Sequence, residues 1–177
     1  MKTKSPSKPK KTPPSGTPEI GARAPSFTLT SDAGESVSLG DYRGKWVVLY
    51  FYPKDHTPGC TREAIGFEGA AAALKRKGAV VLGVSRDSVG THCSFKEKQG
   101  LHFPLLSDPL AEVHKLYGAY GDKLMYGRKV TGALRTTAVI RPDGTLGRLF
   151  SHVKVDGHVD AVLAAIDGPA PAKPVRG

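Results

Sequence analysis

The run Trp46 to Tyr52, WVVLYFY, constrains the fold more than any other stretch of this chain. It is unbroken, apolar, of strand length, and rich in β-branched and aromatic side chains. A strand with one wet face alternates polar and apolar residues, so a run with no charged member needs cover on both faces. That predicts a central strand. AVVLGVS (Ala79 to Ser85) repeats the pattern after an intervening helix, expected from about Pro58 to Lys77 and ending in KRKG, with basic residues in its last turn and Gly78 beyond.

The remaining segments read in the same way. APSFTLTSDAGESVSLGDYRGK sets short apolar stretches against turn residues, predicting an N-terminal β-hairpin around Asp32 to Gly34 and a turn at Asp41 to Gly44. DSVGTHCSFKEKQG predicts a second helix, capped by Asp87 or Ser88 and closed by Gly100. FPLLSD reads as a short strand, and PLAEVHKLYG as a short helix with Pro109 in its first turn. TTAVIRPDGTLGRLF predicts a hairpin turning at Pro142-Asp143-Gly144, and VDGHVDAVLAAI a closing helix. Strands alternating with helices, then a hairpin and a last helix, argue for an α/β fold around a mixed sheet. Neither a G-x-G-x-x-G nor a P-loop pattern follows any strand, so no phosphate cradle for a nucleotide is expected.

A length of 177 residues suits one domain, and half of the +10 net charge belongs to a short segment. Residues 1–18 hold Lys2, Lys4, Lys8, Lys10 and Lys11 and no acid, leaving 21 basic against 16 acidic side chains elsewhere. Rich in Pro, Ser, Thr and Lys, that segment has little apolar surface to offset its ordering entropy, and it is expected to be a disordered tail. Its charge either solubilises the protein or contacts nucleic acid or another acidic surface. The folded domain is expected over 19–167 and a frayed tail over 168–177. No apolar run approaches the ~20 residues that span a bilayer, and the N-terminal lysines lack the apolar segment of a secretory signal. The expectation is a cytoplasmic protein whose thiols are kept reduced. Two cysteines are too few for a thiolate zinc site, and the six histidines are scattered, so no metal is expected.

One of those cysteines has an informative address. In Thr57-Pro58-Gly59-Cys60, at the junction of the first central strand and its helix, Thr57 fits the N-cap, Pro58 the first helical position and Cys60 the third. The Thr57 hydroxyl is then expected to accept the Cys60 amide, with the sulfur in the positive field of the first turn. Thiolates are stabilised at such places, and cysteines there commonly ionise well below the free value of ~8.5. The location suits a nucleophile better than a packing residue. Position 57 is Thr rather than Cys, which excludes a C-x-x-C dithiol oxidoreductase.

FYPKDHTPGCTREA holds Pro53, Thr57 and Cys60 as P-x-x-x-T-x-x-C. With GVSRDSVGTHCSFKEKQGLHFPLLSD and RTTAVIRPDGTLGRLF, the chain from about Glu19 to Ile166 resembles the peroxiredoxin Q, or bacterioferritin comigratory protein, branch of the peroxiredoxins. The resemblance implies a thioredoxin-like fold and thiol-dependent reduction of hydrogen peroxide and organic hydroperoxides, without a cofactor. It implies that Cys60 attacks the distal peroxide oxygen and becomes a sulfenic acid. Charge spread over sulfur and two oxygens calls for fixed donors in a dry pocket, expected from Thr57 and the amides near Gly59 and Cys60, with Pro53 as a shield. The family's arginine matches Arg135. Arg62 and Arg86 are alternatives by proximity, although Arg62 points away around the helix. Glu63, at i+3 from Cys60, is placed either to orient Arg135 or to complement the helix dipole.

The chain departs from many relatives where they carry a resolving cysteine five residues after the peroxidatic one: here that residue is Ile65. Another subset places it in the next helix, at a position matching Lys96. Cys93, one turn earlier on roughly the same face, is the candidate resolving thiol; its alternative is a small hydrophobe packed beside Val89. The resemblance also implies thioredoxin or a similar thiol reductant as partner, and a monomer is expected. A one-cysteine peroxidase, a redox sensor and a nucleic-acid-associated protein are the competing functions.

Overall fold

The apolar run is indeed a strand, Trp46–Phe51, buried along its whole length. Trp46, Val48 and Tyr50, with Tyr52 just beyond, pack on one face against Cys60, Phe67, Phe95 and Val162. Val47, Leu49 and Phe51 pack on the other against Phe27, Leu82, Val113 and Tyr117. Side chains that alternate between two covered faces explain why the run holds no charged residue.

The computed structural model describes residues 17–166. The expected basic tail, apart from Thr17 and Pro18, and the expected C-terminal tail lie outside the described residues, as does any nucleic-acid contact through the tail. In chain order the elements are β1 (Thr28–Ser31), β2 (Ser36–Ser38), a 3-10 turn (Leu39–Tyr42), β3 (Trp46–Phe51), α1 (Pro58–Gly69) and α2 (Ala71–Arg76). Then follow β4 (Ala79–Ser85), α3 (Val89–Gln99), β5 (Leu105–Ser107), α4 (Glu112–Leu116), β6 (Tyr120–Met125), β7 (Arg128–Ala133), β8 (Thr136–Ile140), β9 (Leu146–Phe150) and α5 (His158–Ile166). Seven strands form one sheet in the order β2-β1-β5-β4-β3-β8-β9. Strands β3, β4 and β5 are parallel, while β8, β9 and the β1–β2 hairpin join antiparallel. The first cluster takes buried residues from α1, α2, α3 and α5; the second takes Val113 of α4. This is the mixed sheet flanked by helices that the pattern implied. Among the described residues no helix is long and apolar enough to cross a membrane.

Two local expectations need correction, and one element went unforeseen. The helix read as continuous from Pro58 to Lys77 breaks at Ala70, whose φ of −95° and ψ of 6° end α1. A β-carbon on Gly66 would lie 3.0 Å from Val159 Cγ2, so α1 rides close over α5, and after the break Leu74 of α2 is buried in the same cluster. Pro109 lies outside the short helix, which begins at Glu112 after Ala111 adopts φ 59°. Asp108 supplies the start signal instead, since its Oδ2 accepts the His114 amide (2.9 Å) and faces His114 Nδ1 (2.7 Å). The β6–β7 hairpin was not anticipated at all. Its two-residue turn, Tyr126-Gly127, has φ of 53° and 79°, the conformation usually announced by Asn-Gly or Asp-Gly.

His158, at the start of α5, joins Nε2 to the Thr137 hydroxyl of β8 at 2.8 Å. Burial, helped by repulsion from Arg135, pushes its pKa down to about 4. A histidine held neutral in the fold stabilises fully above its unfolded pKa of about 6.5, and that stability is lost as pH falls through the folded value. His158 therefore contributes a fall in urea midpoint between pH 6.5 and 4, opposite in sign to any carboxyl held neutral by burial, and His158→Gln is expected to remove that contribution, read as the parent-minus-variant difference in parallel pH series.

Candidate active site

Register brings the site together. Strands β3 and β8 pair with Phe51 opposite Thr136, so Arg135 arrives beside the exit of β3, where the chain turns toward α1. The Val153 amide donates to the Arg135 carbonyl at 3.0 Å and ties down its backbone. The guanidinium then reaches across: Nη2 lies 3.6 Å from Cys60 Sγ, and Nη1 donates to Glu63 Oε1 at 2.6 Å. Cys60 and Glu63, one turn apart on the inward face of α1, are both buried to 1% exposure. Gly59 makes the approach possible, because a β-carbon there would meet Arg135 Nη2 at 3.2 Å.

The α1 start follows the expected sequence logic with one correction. Thr57 is the N-cap in an extended conformation and Pro58 opens the helix. The Thr57 hydroxyl, however, does not accept the Cys60 amide: it donates to the Lys54 carbonyl at 2.8 Å. That turn of chain from Lys54 to Thr57 passes through His56 at φ 66°, which directs the hydroxyl backward rather than over the helix. First-turn amides are therefore left without a side-chain acceptor, and Thr57 presents lone pairs rather than a donor to the site. Pro53 is half-buried in the same connection.

Burial dominates the electrostatics of this cluster. It pushes the Glu63 carboxyl up to about 7 against the pull of Arg135, and Glu63 Oε2 has no hydrogen-bond partner among the described residues. Desolvation works against the Arg135 cation too, yet Glu63 and Cys60 outweigh it and hold its pKa above the ordinary arginine value. Tyr50, whose buried hydroxyl has no partner among the described residues, is pushed well up by burial and then by Glu63 and Cys60.

The structure separates the remaining candidates. Arg62 turns outward to Asp156 at 2.7 Å, and Arg86 donates to the Pro109 carbonyl while lying over the Tyr120 ring. Neither approaches Cys60. Ile65 is exposed, and Lys96 pairs with Asp32 at 3.1 Å. Cys93 is a free, exposed thiol on α3, so the alternative of a small hydrophobe packed beside Val89 fails. Lys123, missed with its hairpin, donates to the Ala133 carbonyl at 2.6 Å and is lowered in pKa by desolvation and then by Arg135, which adds a second cation to this edge of the sheet. The signal available for it was the apolar and basic KLMYGRKV stretch around a glycine.

Taken together, a buried thiol faces a guanidinium whose other arm is fixed by a buried carboxylate, at the amide-rich start of a helix. Such a site stabilises negative charge developing on and next to sulfur. The AhpC/TSA family matches residues 20–148 of this chain. A Coxiella burnetii protein carrying the peroxiredoxin name bcp is 50% identical over 148 residues, 84% of this chain and 98% of its own length. Peroxiredoxin Bcp of Bacillus subtilis is 42% identical over 148 residues, 84% of this chain and 94% of its own. The structure of the Xanthomonas campestris bacterioferritin comigratory protein, studied for its alkyl peroxide reduction activity, matches with a TM-score of 0.78 at 39% identity, over 84% of this chain and 97% of that one. Matches of this length, covering nearly the whole of each relative, place the chain in a family: it belongs to the AhpC/TSA proteins, as a peroxiredoxin of the Bcp, or Q, branch.

Proposed function

We propose that this peroxiredoxin reduces hydrogen peroxide and organic hydroperoxides through Cys60. The observation that carries the reading is the Arg135 fork, one arm on Cys60 Sγ and the other on Glu63. Sulfur attacks the terminal peroxide oxygen, the O–O bond breaks, and the leaving oxygen takes a proton to become water or an alcohol. Cys60 is thereby oxidised to a sulfenic acid. Arg135 and the first-turn amides are the donors toward sulfur and the two oxygens. The Thr57 hydroxyl, its hydrogen engaged by Lys54, accepts from the incoming O–H, and Pro53 limits water. The alkyl peroxide reduction of the Xanthomonas relative supports the organic hydroperoxides as substrates.

Cys93 is the resolving thiol in this reading. Its exposure suits a group that must later meet a reductant, whereas the buried Cys60 cannot. Attack of Cys93 on the sulfenic sulfur releases water and forms an intramolecular disulfide, which a thiol reductant of the thioredoxin kind returns to two thiols. The cycle runs in a monomer and in a reducing cytoplasm. Because one thiol faces inward and the other outward, the chain has to unwind near Cys60, near Cys93, or both, before the sulfurs meet.

Cys60→Ser is expected to abolish peroxidase turnover, since a hydroxyl at its ordinary pKa is no nucleophile at neutral pH; activity within tenfold of the parent would overturn the assignment. Arg135→Ala is expected to slow Cys60 oxidation by roughly a hundredfold, about 3 kcal/mol of transition-state stabilisation, in stopped-flow measurements. One equivalent of peroxide should yield a monomer lighter by two hydrogens, with Cys60 linked to Cys93 in the peptide map. A stable sulfenic acid with Cys93 still alkylatable would instead identify a one-cysteine enzyme or a sensor.

Glu63 gives a pH test. Its ionised form anchors Arg135 through a charge-assisted bond, its protonated form only through a weaker neutral one, and the ionised form prevails above about 7. The rate of Cys60 oxidation should fall as pH drops through that value, and Glu63→Gln should lose this step and remain on the low limb. Stability moves the other way. A carboxyl raised from an ordinary value near 4.5 stabilises fully below that pH and loses its contribution as pH rises through about 7. At pH 8 the Gln variant is therefore expected to match or exceed the parent in urea midpoint.

A further inference from the structure

Two buried residues that the peroxidase chemistry leaves without a task lie beside the two thiols. Asp55 precedes Cys60 in the connection from β3 to α1, and His92 is the neighbour of Cys93 on α3; both side chains are fully buried. Asp55 Oδ2 lies 2.6 Å from His92 Nδ1, and His92 Nε2 lies 2.9 Å from the Leu106 carbonyl of β5. Carboxylate and carbonyl are both acceptors, so each ring nitrogen has to donate, and the bond to Asp55 is charge-assisted. The Tyr52 hydroxyl donates to Asp55 Oδ1 at 2.5 Å. The Asp55 amide donates to Asp87 Oδ2 at 2.8 Å, an oxygen that also accepts from the Ser85 hydroxyl at 2.6 Å. Next along the chain, His56 sets its ring edge-on to Phe95 of α3, with centroids 5.2 Å apart.

Asp55, Asp87 and His92 bring their ligand atoms within 4.8 Å of one another, as a cation site would. Both imidazole nitrogens are already committed, one of them in direct contact with Asp55, so His92 offers no lone pair to an ion. What the cluster does instead is fasten the segment before Cys60 to the helix that carries Cys93.

We infer that Asp55 and His92 are a latch: a positioning pair that holds these two segments together while Cys60 meets peroxide, and whose release permits the Cys60–Cys93 disulfide. The inference rests on Cys93 being the resolving thiol. Neighbouring residues on a helix project about 100° apart. His92 points inward and Cys93 outward. Turning Cys93 inward withdraws His92 from Asp55 and Leu106; bringing Cys60 outward drags the Asp55 segment with it. Both routes to the disulfide break the same bond. Latch strength therefore sets how long the sulfenic acid persists, and so how much of it a second peroxide converts to sulfinic acid.

The test uses the full chain with Asp55→Asn, which keeps the shape and removes the charge, and Tyr52→Phe, which removes one hydroxyl and keeps the ring that packs in the core, with the circular dichroism of each variant checked against the parent. Stopped-flow oxidation separates the second-order reaction of Cys60 from first-order disulfide formation. The first-order rate is expected to rise about tenfold in Asp55→Asn, the equivalent of one charge-assisted hydrogen bond, and by less in Tyr52→Phe. The second-order rate should stay within about threefold, because most molecules remain latched. Sulfinic acid at high peroxide, read by mass, should decrease in step. In the reduced protein, hydrogen exchange should accelerate in residues 53–60 and 88–95 of both variants. A disulfide that forms at the parental rate with unchanged exchange overturns the latch. If the parent chain forms no Cys60–Cys93 disulfide, it is the resolving assignment that fails. Exchange then judges the latch alone: acceleration confined to those two segments supports it, and no acceleration overturns it.

Discussion

The burial of β3 on both faces is the constraint from which the site follows. Because Trp46–Phe51 is covered above and below, its parallel partner β4 and antiparallel partner β8 are held in fixed register, and all three end or begin at one edge of the sheet. The chain leaving β3 can go only into a helix that packs back on the sheet, so α1 starts there with its unpaired amides. The chain entering β8 passes the same edge with Arg135 one residue before the pair Phe51–Thr136. A slip of one residue in that pairing would send Arg135 to the opposite face. The geometry of the candidate site is thus a by-product of two strand registers, and neither the helix nor the arginine alone could secure it.

The Arg135–Glu63 pair has a different character. With the carboxylate fully buried and the guanidinium largely so, desolvation opposes both charges, and such pairs often contribute little to net stability. Its value lies in direction. A lone arginine on a strand end would sample several rotamers, whereas one arm fixed at 2.6 Å leaves the other aimed at Cys60 Sγ. That Glu63 is pushed up to about 7 expresses the tension: the fold tolerates a carboxylate near its preferred neutral form so that the cation stays oriented. Gly59 belongs to the same compromise, since it gives up helix propensity to let the guanidinium close on the first turn.

Much of this was legible in the residues. Strand-length apolar runs, the Pro58 start of α1 and the Gly100 stop of α3 each depend on local chemistry, and local chemistry is what a sequence displays. Cys60, Arg135 and Glu63 were identified by spacing and resemblance, and the structure brings them together. The misses share another cause. Thr57 as N-cap was legible, but the direction of its hydroxyl depends on His56 adopting a left-handed conformation that nothing nearby announces. The Ala70 break has no local breaker to announce it, and next to it Gly66 lies close against Val159 of α5, a contact nearly a hundred residues away in the chain. Tyr126-Gly127 makes a hairpin turn without the customary asparagine or aspartate. The histidines looked scattered because their partners are remote: His92 meets Asp55, and His158 meets Thr137. Long-range pairing is invisible to periodicity.

Under the proposed cycle, a fold that encloses Cys60 also obstructs the step that would follow its oxidation. Tight enclosure is required for the peroxide step, in which donors have to be fixed before charge develops. The proposed disulfide with the exposed Cys93 would require the reverse, a segment loose enough to bring sulfur to sulfur within bonding geometry. Both demands fall on the same few residues, from Tyr52 to Cys60 and from Ser88 to Cys93. Their composition carries both. Glycines at 59, 66 and 69 weaken α1, and Gly90 weakens the start of α3, while Phe67, Phe95 and Tyr52 bind the folded form to a core that stays intact. The central sheet lies beneath both segments and need not move with them. The two-face burial of β3, β4 and β8 and the helix-weakening glycines beside the thiols are the physical basis on which one small domain could meet both requirements of the proposed cycle.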